Sequence, residues 1–189
     1  ISAEQTSGKL EISENSIIET LSLSGRANVD VKNEKILTLT NEFEIPNGKS
    51  IELLGSGGGK FVLTDKLTIS GTLKSSASDY TFESGTLALN GGILEVGEDL
   101  IISSAFVNED SSEIKVTAGK KLIYSGTAFD IGVKPLTLTG SGKISNTSEF
   151  RLSDPSSVLN LDGIGEISKV SFPISLETGI LNVLEDAKI

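Results

Sequence analysis

One short phrase recurs along the chain and limits its fold more than any other feature. It consists of two branched apolar residues separated by one residue, then a small polar residue and often a glycine. Copies stand at 21–25, 37–41, 51–55, 67–71, 87–91, 100–103, 122–126, 136–140 and 159–163, with a weaker one at 181–183. Successive copies begin 13 to 23 residues apart, about 18 on average. A second apolar pair usually begins six to nine residues earlier: Val29/Val31, Phe43/Ile45, Phe61/Leu63, Tyr80/Phe82, Ile114/Val116, Phe129/Ile131 and Phe150/Leu152. Alternation at period two turns the apolar members of each short strand to one face and Ser, Thr, Lys or Glu to the other. Gly or Asn after the strand permits the positive φ of a sharp turn. Strand, turn, strand and turn at a period of about 18 residues describe one coil of a solenoid.

Stacking follows from the energetics. A single coil buries about four apolar side chains worth ~1.5–3 kcal/mol each, whereas ordering its ~18 residues costs ~1–2 kcal/mol apiece. Coils stacked at ~4.8 Å pair their backbones above and below and merge their apolar rows into one core. The sequence therefore predicts an all-β chain, a right-handed parallel β-solenoid of about nine irregular coils and roughly 43 Å in length. It forms one domain over residues 1–189, read as a piece of a longer repetitive protein because the chain lacks an initiator Met. The long steps place surface excursions at 108–112, 141–148 and 164–173. An antiparallel β-sandwich fits short alternating strands as well. The constant composition of the recurring phrase favours the solenoid.

Composition removes whole classes of function. The 189 residues contain no His, Cys, Met or Trp, so Ser-His-Asp triads, Cys-His dyads, zinc fingers, thiolate-held clusters and His-ligated haem are excluded. With 16 Lys+Arg against 26 Asp+Glu, a net charge of −10 and two arginines, the chain is a poor match for nucleic acid. No apolar run reaches the ~20 residues of a membrane-spanning helix, so membrane insertion is not expected. No cofactor is expected either.

Candidate chemistry is sparse. Residues 54–61, Leu-Gly-Ser-Gly-Gly-Gly-Lys-Phe, approach a phosphate-binding loop. Leu54 replaces its first Gly, however, and Phe61 its Ser/Thr, so a glycine-rich turn is the better reading. Acidic pairs at 98–99, 109–110 and 185–186, with Asp154 and Asp162, raise glycosidase chemistry, which needs two carboxylates across a cleft. Asn108, Glu109 and Asp110 offer oxygen ligands for a surface calcium ion, or a contact loop. Among outward positions, Leu54, Ile101 and Ile123 interrupt a polar row and would form an apolar strip suited to a neighbouring subunit if aligned. Residues 146–148, Asn-Thr-Ser, form a glycosylation sequon by pattern.

Residues 136–146, Leu-Thr-Leu-Thr-Gly-Ser-Gly-Lys-Ile-Ser-Asn, resemble coils in the parallel β-helices of bacterial secreted adhesins, of the filamentous-haemagglutinin and autotransporter type. Residues 64–71 and 80–92 look similar. The resemblance implies an exported rod, extracellular or on the cell surface, and transfers no catalytic residue. On that basis the expected function is a non-enzymatic structural or adhesive module that presents loops to other coils or subunits, a glycan or a host surface. The alternatives are a glycan-binding or glycan-cleaving β-helix and a phage tail-fibre segment.

Overall fold

The computed structural model describes residues 2–55, 57–127, 129–146, 150–164, 166–167, 174–176 and 178–183. Among them there are only strands and turns, and every strand pair is parallel. The chain winds through three faces per turn. The first face stacks Ser2–Ile12, Thr20–Val31, Ser50–Leu53, Thr72–Ser75, Ile93–Val96, Ser112–Val116, Leu136–Thr139, Val158–Asp162 and Ile180–Val183. The second stacks Ser16–Ile18, Ile36–Leu39, Lys60–Leu63, Tyr80–Glu83, Leu100–Ile102, Lys121–Tyr124, Lys143–Asn146 and Glu166–Ile167. The third is split into two sheets. One contains Phe43–Ile45, Lys66–Ile69, Thr86–Leu89 and Ala105–Asn108, the other Phe129–Asp130, Phe150–Leu152 and Ile174–Leu176.

This is a parallel β-solenoid of about seven turns, where the spacing of the recurring phrase had predicted nine. The phrase does not mark one coil. Its copies fall on the first face at Ile51/Leu53, on the second at Leu37/Leu39 and on the third at Leu67/Ile69. The true period is read from register. Ser50 pairs with Thr72, Thr72 with Ile93, Ile93 with Glu113, Glu113 with Thr137 and Thr137 with Asn160, so a turn takes 20 to 24 residues. A third strand per turn also accounts for the expected excursions. Residues 108–112 form a corner between two strands, 141–148 contain the strand Lys143–Asn146, and 164–173 contain Glu166–Ile167. Residues 147–148, 165 and 168–173 lie outside the described residues.

The core is a set of vertical ladders. Ala27, Ile51, Leu73, Leu94, Ile114, Leu138 and Leu161 line the first face, one above the next and all buried. Leu37, Phe61, Phe82, Ile102 and Tyr124 line the second. Phe43, Leu67, Leu87 and Phe106 line the third. Phe61 stacks on Phe82 with ring centroids 4.8 Å apart, and Phe106 on Phe129 at 4.6 Å. Both distances match the rung spacing of a β-stack, so one geometry satisfies the backbone hydrogen bonds and the ring contacts together. The corners stack too: Gly97 N–H donates to Ser75 O at 2.9 Å and Thr117 N–H to Val96 O at 2.9 Å, one turn apart.

Candidate interaction surface

With the apolar side chains inside, the outward rows and corners carry whatever the molecule does. On the first face one outward row runs Asn28, Glu52, Lys74, Glu95, Lys115, Thr139 and Asp162 in register. Lys74 and Glu95 form an ion pair at 3.3 Å, and Glu52 is held by Arg26 and by Ser76 Oγ at 2.7 Å. Those hydrogen bonds, that from Ser76 foremost, keep the Glu52 carboxyl below its ordinary pKa. In the outward row beside it Asn182 Nδ2 donates to Asn160 Oδ1 at 2.9 Å, and Asn160 Nδ2 to Thr137 Oγ1 at 3.3 Å. The row is invisible until the turn length is known, because its members are 20 to 24 residues apart.

The corner between the third and first faces is a shallow polar trough along the stack axis. Its two parts, of about 490 and 390 Å³, share residues 91–93. The trough runs from residues 47–50 past 70–72 and 91–93 to Ser111, Ser112 and Pro135, with Glu113, Thr137 and Asp162 on its wall. Glycine makes the depression. A Cβ on Gly71 would stand 2.3 Å from Lys49 O, and one on Gly92 2.3 Å from Ile69 O. The rung below therefore leaves no room for a side chain.

The second face has Ile101 directly above Ile123, both half-exposed, with Thr81 and Ser145 as their neighbours on either side. Leu54 does not join them. It occupies the bend after Ser50–Leu53, where its N–H donates to Val29 O at 2.8 Å and its O accepts from the Tyr80 hydroxyl at 2.6 Å. The expected strip is thus a pair of isoleucines. Ile17, 64% exposed, was missed as a surface apolar residue. Its signal was present, since in the adjacent pair Ile17-Ile18 period-two alternation sends one side chain outward.

Residues 54–55 and 57–60 lead from the first face to the second, and their glycines serve close packing. A Cβ on Gly57 would lie 2.0 Å from Ser78 O and one on Gly59 2.5 Å from Val31 O. The Gly58 N–H donates to Ser78 O at 2.9 Å, and Lys60 Nζ pairs with Glu83 at 2.8 Å. Of the groups a phosphate would need, the Gly58 N–H and the Lys60 ammonium are thus engaged within the fold.

Asn108, Glu109 and Asp110 diverge, which argues against a calcium site. Asn108 points inward at the rung after Ile45, Ile69 and Leu89, and its Nδ2 donates to Lys134 O at 2.9 Å. Glu109 reaches out to Lys66 at 3.2 Å, and Asp110 Oδ1 accepts from Ser111 N–H at 2.8 Å. The other acids also serve local structure. Glu98 pairs with Lys120 at 2.6 Å, Asp99 Oδ1 accepts from Lys121 N–H at 2.8 Å, and Asp154 Oδ1 accepts from Ser156 N–H at 2.7 Å. Residues 185–186, and Thr147 and Ser148 of the sequon, lie outside the described residues. No group of three or more acidic side chains suited to a metal ion occurs among the described residues.

One buried charge stands out. Asp30 is 1% exposed, beside Lys32 at 2.6 Å and Lys9 at 2.9 Å, with Glu11 bridging to both lysines. Burial pushes its carboxyl up, but hydrogen bonds from Lys32 and Lys9 outweigh that and leave it below the ordinary value. The Tyr80 hydroxyl, which accepts from Val31 N–H at 3.0 Å, is pushed up to about 12, chiefly by burial. Together they brace the corner where the Gly-rich crossing packs on the preceding turn.

The fold and surface define the class: a parallel β-solenoid with polar faces and a corner trough. Comparison with known proteins finds no family model that matches the chain, and no similar curated protein or solved structure.

Proposed function

We propose that the chain is a non-enzymatic structural and adhesive module of a bacterial extracellular or cell-surface protein. It acts as a stiff rod that holds rows of side chains at fixed spacing against a glycan, a host surface or a neighbouring subunit. The observation that carries this reading is the trough along the third-to-first corner. Its Ser, Thr and Asn side chains come from four turns, at 47–50, 70–72, 111–112 and 137–139, on either side of the bare Gly91-Gly92 rung, and form a polar track along the ~4.8 Å steps of the stack suited to an extended hydroxyl-rich polymer. Presentation falls to this corner and to the flat faces. Residues 108–112 make a tight corner, and 143–146 a strand. The resemblance of residues 136–146 to adhesin coils supports the bacterial surface assignment.

Tagged protein applied to a glycan array and to immobilised host-cell surfaces, with a reducing-sugar assay in parallel, tests the reading. Binding without release of reducing ends is expected. Cleavage of any polysaccharide would favour a glycan-cleaving β-helix instead, and an SDS-resistant trimer a phage tail-fibre segment. Failure to bind either surface overturns adhesion.

A further inference from the structure

Read along the stack, the outward row of the first face is Lys9, Asn28, Glu52, Lys74, Glu95, Lys115, Thr139 and Asp162. Reversed and laid against itself, this row sets Lys9 opposite Asp162, Asn28 opposite Thr139, Glu52 opposite Lys115 and Lys74 opposite Glu95. Every charge meets its opposite and every neutral polar group meets another. The parallel outward row, Arg26, Ser50, Thr72, Ile93, Glu113, Thr137 and Asn160, carries two charges, and reversal about the same axis sets no like charges against each other. Reversal pairs Arg26 with Thr137, Ser50 with Glu113 and Thr72 with Ile93.

We propose that the first face is the contact surface of a two-fold homodimer, a second copy of this chain packed face to face with its stack reversed. A two-fold axis parallel to the strands keeps each row opposite itself and inverts its order, which is the operation the charges satisfy. An axis along the stack would instead place one row against the other in the same order, setting Lys74 against Thr72 and Glu95 against Ile93, so that neither central charge meets its opposite. The side chains are poised for the first arrangement. Glu52 is already fixed by Arg26 and Ser76, whereas Lys115 is exposed and makes no ion pair among the described residues. Thr72, Lys74, Ile93 and Glu95 straddle the axis, so the 3.3 Å Lys74–Glu95 pair of each copy joins its twin in a four-charge network. The face is about 13 Å wide, from four residues per strand, and about 38 Å long, from eight steps of ~4.8 Å. Two copies then bury about 1,000 Å² in total, the lower end for a specific complex, so the dimer is weak and reversible. The proposal does not depend on adhesion, but the face shares Ser50, Thr72, Ile93, Glu113, Thr137 and Asp162 with the trough, so dimerisation competes with a polymer bound there.

Sedimentation equilibrium of the 189-residue chain and two charge reversals decides it. Wild type is expected to dimerise reversibly, and more weakly as salt rises. Lys74→Glu and Glu95→Lys each oppose like charges twice per dimer and weaken association at least about tenfold. An equimolar mixture of the two variants restores the dimer, because Glu at position 74 of one chain then meets Lys at position 95 of the other. Repair of an intrachain pair cannot produce that recovery. A monomeric wild type, variants that associate like wild type, or a mixture that stays monomeric each overturns the proposal. So do open-ended stacks that persist in both variants.

Discussion

Asn108 shows how one side chain changes the course of the stack. The third-face ladder Ile45, Ile69, Leu89 places its next member inward, and there the chain has an amide that donates to the Lys134 carbonyl. The face breaks into its second sheet at this rung, and Asn108 supplies across the corner a hydrogen bond that the short strand Phe129–Asp130 does not. Glycine acts at the same scale. Gly57 and Gly119 share nearly the same left-handed φ, +73° and +74°, but only Gly57 faces a backbone oxygen 2.0 Å from its would-be Cβ. Gly119→Ala should cost only the left-handed penalty, about 1–2 kcal/mol. Gly57→Ala should cost at least ~3 kcal/mol, because a backbone collision is added to that penalty. Urea unfolding of the two variants checks this, and equal losses would contradict the packing argument.

At the scale of elements, alternation was readable and assignment to faces was not. Tyr80 and Phe82 announce a strand by period two, and the structure buries both. Nothing in the tetrapeptide says that Phe82 lies over Phe61 rather than Phe43. That follows from the length of the three intervening corners, which sets the register. The stack makes Phe82 expensive to lose, since its ring is covered by Phe61 on one side and by Ile102 on the other. Phe82→Ala should destabilise by ~3–5 kcal/mol and Phe82→Leu by less, as the cavity shrinks. Thermal or urea unfolding measures both. A loss below ~1 kcal/mol for the alanine variant would mean that the ladder is not continuous there.

For the molecule as a whole, the pattern of ionisable groups predicts a broad stability plateau. Asp30, Glu11, Glu52 and Glu98 have pKa values lowered in the fold. Their contribution is therefore present above the unfolded carboxylate range near ~4 and is lost as pH falls through the folded values. Tyr80, pushed up to about 12, and Tyr124, also raised by burial, act in the opposite sense. Their contribution is present below the unfolded value near ~10 and is lost as pH rises through the folded ones. The chain has no His to titrate in between. The urea midpoint should accordingly be flat from about pH 5 to 9 and fall on both sides. Asp30→Asn should lower the plateau and make the acid limb shallower. A transition near pH 6–7 would show that this inventory is incomplete.

Local alternation, turn residues and the absence of helical periodicity determined an all-β chain of stacked, mutually dependent coils, because period two and positive-φ corners are properties of a few neighbouring residues. The same residues excluded every mechanism that needs His or Cys. The number of turns, the third strand in each and the inward placement of Asn108 came from tertiary structure alone. So did the separation of Leu54 from Ile101 and Ile123, and the charge order of the first face. Each depends on which residues lie 20 to 24 positions apart in register, and the length and packing of three corners per turn set that distance. A strand's own sequence does not record the strand above it.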